Sequence, residues 1–521
     1  MKSEKWTKIP NKFISRHHYA LVCLVIFPFV VYFTLCVPWE KDLDFWELSA
    51  TVRSIAANPI HPDNPIFNLP GNTSPRVIPY TLFLGVFMLL TKFNFIGTML
   101  FAGIMNFLVF TTGLYKFIYY KFKSRTLPAV LLLTMLLLWG TGFHWANAYQ
   151  LEVFFIHIHY VGFFVFSIGF YILYFLTRYL AEKQLKFLYG YIILSVIAFI
   201  SHPITGIFIF LLAFVLCIEQ RDLKKFFLLQ LIPLSSFLLA LVWPYFKYWN
   251  VFFAGTTTQW YHSPMFGTAA VYAIGPAILG FPIAYAYFSG KKYPFLTMGL
   301  MLSTFIYLVC SFLKIQIGER FFIFTVFLLQ MNVAVFLDNH FRSTSFTPLK
   351  DIKQENLWVW LLLLLILYDT GIYRLEGLKK HFIRIKNART FLGYQSPTHS
   401  FQFLKNIFAI HNVIMADLKD GWVIPALTGA KIVGSTRASN PLIMNELNQR
   451  KTDAKSFFND NLSDQERNKI LKKYHVTHIL LNKEHSAEWD KTLESYCHKI
   501  EKEVINKNNM TIIKIDSMKI D

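Results

Sequence analysis

The residues best placed to do chemistry lie between positions 38 and 76. There the run Pro38-Trp39-Glu40-Lys41-Asp42-Leu43-Asp44-Phe45-Trp46-Glu47 sets four carboxylates and two indoles directly after an apolar stretch, Tyr19 to Val37. An ionisable side chain at membrane depth costs ~2.5 to 3.5 kcal/mol on insertion scales, so acids gathered at the end of a span mark a functional site unless they form a plain acidic loop with an aromatic belt. On a helix Asp44 and Glu47 share a face while Asp42 diverges. Such oxygens take a proton from an attacking hydroxyl, or else Asp42 and Asp44 ligate a divalent cation, Mg or Mn. Asp44 is the first choice of base, with Phe45 and Trp46 to shield it from water. The loop then runs through Ala50-Thr-Val-Arg53, a helix-like piece, and Asn58-Pro-Ile-His61-Pro-Asp63-Asn-Pro, where prolines make His61 and Asp63 a rigid lid or an acceptor contact. The next span begins near Pro75-Arg76-Val77, so this loop is far longer than a connection between two spans requires.

The elements that must position these acids are membrane helices. The chain has 521 residues, 54% hydrophobic and 18% aromatic, with a mean hydropathy of +0.40 and 16% charged residues, against roughly 25% in a typical soluble protein. Lys and Arg number 51 against 31 acids, a net +20, which the positive-inside bias and anionic headgroups explain better than nucleic acid does. Of the five cysteines, Cys23, Cys36, Cys217 and Cys310 lie in or beside apolar spans, so they make no disulfide framework. Lys2, Lys5, Lys8, Lys12 and Arg16 precede the first apolar run, as in a retained signal anchor with its basic end in the cytoplasm.

Twelve spans are expected, in a range of eleven to thirteen, near 19–37, 77–92, 96–118, 127–142, 154–177, 187–201, 204–218, 226–246, 268–288, 293–313, 320–337 and 357–373. Basic connections at Lys121–Arg125, Arg221–Lys225, Lys291-Lys292 and Arg342–Lys353 all look cytoplasmic, yet two spans between 77 and 118 would carry Lys121–Arg125 to the outside. Either that pair includes a re-entrant or interfacial helix, or one basic loop breaks the bias. Domain boundaries follow: a transmembrane domain over 1–373, a polar connector over 374–400, and a small extracytoplasmic α/β domain over 401–521. In that last part strand-like runs at 409–416, 431–434, 475–481 and 510–515 alternate with helical stretches at 453–459, 464–473 and 487–497. Ser463-Asp-Gln-Glu466 fits a capping box.

An acidic motif just after the first span, many further spans and a terminal extracytoplasmic domain together resemble the GT-C glycosyltransferases, polytopic enzymes that include the protein O-mannosyltransferases and the lipid A aminoarabinose transferases. Their motif, an Asp followed by an aromatic and then Ala, is met by Asp42-Leu-Asp44-Phe-Trp46-Glu-Leu-Ser-Ala50. The Asp-Glu dipeptide usual in those two branches is absent. The tail segments Met415–Val433 and Lys473–Leu480 resemble terminal domains of bacterial members, which support the site. The resemblance implies a polyprenyl-phosphate-linked sugar as donor, a glycan, lipid or protein as acceptor, inversion by one Asp base, and a bacterial inner-membrane location. It implies cations for the departing phosphate. Arg320, beside Glu319 at the start of a span, is the foremost candidate and an interfacial snorkelling Arg the alternative.

His202-Pro203 interrupts an apolar stretch, either as the turn of a helical hairpin or to bind the phosphate through His202. Tyr261 and His262, in Gln259-Trp-Tyr-His262, and Trp46 offer rings for sugar faces or an interfacial belt. His157-Ile-His159 looks like a metal pair, but i and i+2 on a helix do not converge. No Walker or Rossmann glycine pattern occurs, which disfavours ATP-driven transport and cytoplasmic nucleotide-sugar chemistry. The rival functions are a transporter or flippase of a lipid-linked saccharide and a noncatalytic subunit of envelope-glycan assembly.

Overall fold

The computed structural model describes residues 8–36, 43–69, 71, 74–140, 149–220, 223–248, 268–313, 315, 318, 320–343, 368, 372, 374–380, 382–383, 401–436, 440–459, 461–516 and 518. They fall into two compact units, one formed by Met1–Thr34, Leu100–Ala240 and Gln259–Ile383, the other by Leu35–Met99, Leu241–Thr258 and Arg384–Asp521.

Among the described residues six helices are long and apolar enough to cross a membrane: His17–Leu35, Phe95–Phe122, Val161–Glu182, Ala270–Ser289, Pro294–Phe312 and Phe321–His340. Five more, Pro79–Thr91, Leu127–Leu137, Leu185–Ser201, Pro203–Glu219 and Phe226–Leu241, are apolar but shorter. These overlap the first eleven expected spans, while most of 357–373 lies outside the described residues.

The first unit is a helical bundle. Its centre is the helix Phe321–Ser343, whose apolar window is 94% buried, as befits a sequence that is apolar on every face. Two buried amides on it donate hydrogen bonds, Gln330 to the Leu138 carbonyl at 2.7 Å and Asn332 to that of Leu328 at 2.8 Å. At one end of this unit the ionic and polar contacts collect. His18 lies 2.9 Å from the Arg125 carbonyl, Lys121 pairs with Glu219, and Tyr120 donates to Glu182 at 3.2 Å. Asp338 there accepts from Ser124 at 3.0 Å and pairs with Arg342 at 2.7 Å. The N-terminal end of the first span and the loop 121–125 therefore share one end of the bundle.

The second unit is built on a five-stranded sheet in the order β2-β1-β3-β5-β4, with β1 Val413–Ala416, β2 Lys431–Ile432, β3 His478–Asn482, β4 Glu501–Lys507 and β5 Met510–Ile515. β1 runs parallel to β2 and β3, and β5 antiparallel to β3 and β4. Side chains alternate across a strand, so Val413, Met415, Ile479, Leu481 and Ile513 join one apolar core with Phe457, Leu471 and Tyr496 from the helices Met444–Asn459, Asp464–Tyr474 and Leu493–Ile500. The expected capping box is present: Ser463 Oγ accepts from the Glu466 amide and the Glu466 carboxylate from that of Ser463. β4 was not expected from the sequence, because as an exposed edge strand it carries charge where a half-buried strand would alternate. The same unit takes in the helices Leu43–Ala57 and Pro79–Thr91. They touch where Gly85 meets Ile55, and any Cβ on Gly85 would fall 2.4 Å from a methyl of Ile55.

Candidate active site

The acidic helix Leu43–Ala57 turns its apolar side inward. Phe45 and Trp46 are 1% and 2% exposed and pack on Phe95, with ring centroids 6.2 and 5.8 Å away. Val52 and Ile55 continue the same buried surface. Trp46, a candidate sugar platform by sequence, is thus a core residue, because the helix that displays Asp44 must bury this ring to hold its place.

Asp44 and Glu47 meet a single guanidinium. Arg76 Nη2 lies 3.2 Å from Asp44 Oδ1 and 2.8 Å from Glu47 Oε2. The Asp44 side chain is 29% exposed and that of Glu47 5%, so the aspartate can be reached by a substrate while the glutamate is enclosed. Arg76 is held by its turn. Its amide donates to Ser74 Oγ at 3.1 Å, its carbonyl accepts from Thr81 at 2.6 Å, and the carbonyls of Pro75 and Val77 accept from Tyr248 and Trp243 at 3.1 and 2.7 Å. By sequence Arg76 marks only the start of a span. A signal was there: an arginine on the side that the positive-inside bias leaves poor in cations, within the same loop as the acids.

A narrow cleft opens beside Glu47, lined also by Asn64, Phe67, Ser74, Asn440 and Leu447. The strip 64–68 that forms one wall is bound to the C-terminal sheet. Phe67 bridges Ile432 in parallel, Ile432 donates to the Ile66 carbonyl at 2.9 Å, Lys431 donates to that of Asn64, and Arg450 to that of Asn68 at 3.3 Å. Asn64 Oδ1 closes an Asx turn by accepting from the amides of Ile66 and Phe67 at 3.0 and 2.9 Å. Arg53, further along the acidic helix, donates to the Leu427 carbonyl at 2.7 Å, at the end of the helix Val423–Thr428. Burial pushes the Lys431 ammonium down to about 8, with Asp63 acting in the opposite direction.

The remaining candidates divide as follows. His61 and Asp63 are exposed on the loop of this unit, pinned by Asn58 and Ser54. Arg320, in the bundle unit, is half-buried immediately before the helix Phe321–Ser343. His202 caps the helix Pro203–Glu219, with Nδ1 2.8 Å from the Thr205 hydroxyl and accepting from the Thr205 amide at 3.4 Å, the hairpin turn that Pro203 dictates. Asp42, Glu319, Tyr261 and His262 lie outside the described residues. Among the described residues no three His, Cys, Asp or Glu side chains converge as metal ligands. Arg76 already supplies Asp44 and Glu47 with a positive charge at hydrogen-bond distance. A cation at these two carboxylates would have to compete with the guanidinium.

No protein-family model matches the chain, and no curated protein sequence matches it significantly. Solved structures do. The chain is similar in fold to ArnT from Cupriavidus metallidurans bound to undecaprenyl phosphate, with a TM-score of 0.52 and 12% identity over 95% of this chain and 98% of that one. It is also similar to the Archaeoglobus fulgidus oligosaccharyltransferase tethered to an acceptor peptide containing the NVT sequon, with a TM-score of 0.51 and 10% identity over 95% and 73%. At these identities the likeness establishes the fold alone, one shared with ArnT and with that oligosaccharyltransferase across almost the whole chain.

Proposed function

We propose that this protein is an integral membrane glycosyltransferase that moves a sugar, with inversion, from a polyprenyl-phosphate donor to an envelope glycan, lipid or protein acceptor on the extracytoplasmic face of a bacterial inner membrane. The observation that carries the reading is the part-exposed Asp44 carboxylate on a helix braced by Phe45 and Trp46 and paired with Arg76, within a fold shared with ArnT and an oligosaccharyltransferase. The undecaprenyl phosphate in the ArnT structure supports the class of donor.

In the proposed reaction the Asp44 carboxylate takes the proton of the acceptor hydroxyl as its oxygen bonds to the anomeric carbon. The bond from that carbon to the phosphate oxygen breaks, and the polyprenyl phosphate departs with the electron pair. A phosphate leaves without a general acid, so one base suffices. Arg76 keeps the carboxylate aimed, and Arg320 is proposed to neutralise the departing phosphate. The domain limits 1–373, 374–400 and 401–521 and the outward-facing tail belong to the same proposal. Mass spectrometry of lipid-linked sugars from cells with and without the protein tests it. The expected result is accumulation of a polyprenyl-phosphate sugar and loss of one envelope sugar in its absence. Unchanged pools of both would contradict it.

A further inference from the structure

The face of the C-terminal sheet opposite the one that carries Met415, Ile479 and Ile513 bears a polar row that the proposed reaction does not use. His478, Lys514 and Glu503 are register partners across β3, β5 and β4, so the pleat brings all three to one face. One step along, Leu480, Ile512 and Ile505 form the matching apolar row. Ile407 and Asn406, from the helical turn Gln402–Asn406 and the residue after it, close one side. The result is a groove of about 180 Å³ with an isoleucine floor and a rim of ionisable and amide groups.

The rim's chemistry selects a class of ligand. Glu503 and Lys514, 3.8 Å apart and both half-exposed, cancel in charge, and solvent screens an exposed pair at that distance, so neither is bound tightly to the other. The Thr477 hydroxyl lies 2.9 Å from His478 Nδ1, and the ring stacks edge-on against Phe408 at 5.3 Å. Burial, and then Lys514, push this imidazole down to about 4, so it is neutral at pH 7. The rim thus offers hydrogen-bond donors and acceptors at zero net charge. A phosphate or nucleotide would face the Glu503 carboxylate, whereas a sugar ring presents hydroxyls to the rim and C–H groups to the isoleucines.

We propose that this groove binds one saccharide unit of a glycan, and, resting on the transferase reading, that the glycan is the acceptor. Glu503 and Lys514 are recognition residues there, remote in role from Asp44. The test uses the full-length protein in detergent on an array of neutral, amino and acidic glycans beside an array of unglycosylated peptides. The parent should retain a defined set of glycans, and E503A/K514A, two exposed changes that leave the fold intact by melting temperature, should lose that retention at least tenfold. D44N should retain the same glycans as the parent, which separates failure of this site from failure of the proposed chemistry. No glycan retained by the parent, equal retention by E503A/K514A, or retention of peptides in place of glycans would overturn the proposal.

Discussion

Arg76 balances two carboxylates at once, and the two are not equivalent. Glu47 is enclosed and Asp44 part-exposed, so loss of the guanidinium takes a positive charge away from a buried carboxylate and from a part-exposed one. Removing one partner of a buried pair costs on the order of 3 to 5 kcal/mol. R76A should therefore melt well below the parent, and E47Q/R76A should recover much of that loss without recovering transfer. A melting temperature for R76A equal to the parent's would show that the pair has no structural weight. Arg320 should behave differently, since its proposed role is confined to the reaction: R320A should lose roughly 2.7 to 4 kcal/mol of transition-state stabilisation, about a hundred- to a thousandfold in rate, with R320K partly active. Turnover by R320A at the parental rate would return Arg320 to an interfacial role. The acids were legible in the sequence because three residues put Asp44 and Glu47 on one face. Their counter-charge was not, because 32 positions separate Arg76 from Asp44 and no local period connects them.

At the level of elements, the strip 64–68 behaves as an added strand at the β2 edge, and the acidic helix is tied to the same sheet region through Arg53. Lys431 is the buried part of that tie. K431M and R450A should speed hydrogen exchange at Ile66 and Phe67 while leaving β3 protected, and unchanged exchange at 66 and 67 would show that the strip holds by itself. The pH dependence has a definite sign. The ammonium of Lys431 falls from 10.5 when exposed to about 8 when folded, so between those values the unfolded chain binds more protons and stability rises with pH. The penalty is fully present below about 8. Melting of the parent at pH 9.5 should exceed that at pH 7.5 by an increment absent from K431M. The sequence made several of these elements legible: Ser463 and Glu466 announced their helix, and the apolar runs of β1, β3 and β5 announced strands. It could not announce β4, whose charged residues suit an edge, or the pairing of Phe67 with Ile432, which is set by tertiary contact.

For the whole molecule, the contacts of His18 with Arg125 and of Lys121 with Glu219 place the N-terminal end of the first span and the loop 121–125 at one end of the bundle. The tension in the charge pattern then resolves if Pro79–Thr91, only 13 residues long, does not cross the membrane, since a span needs about 20. Single cysteines at His61 and Asn448, both exposed, should react with an impermeant thiol reagent in intact spheroplasts, and one at Lys183 only after permeabilisation. Any other pattern would separate the acidic loop from the tail or reverse the bundle. The central claim, that this fold performs sugar transfer with Asp44 as base, is tested most directly by reconstituting the full-length protein and its D44N variant with polyprenyl-phosphate sugars and membrane-derived acceptors. Asparagine keeps the shape and removes the carboxylate, so the parent should transfer sugar while D44N binds the donor and transfers none; transfer by D44N at the parental rate would contradict the account.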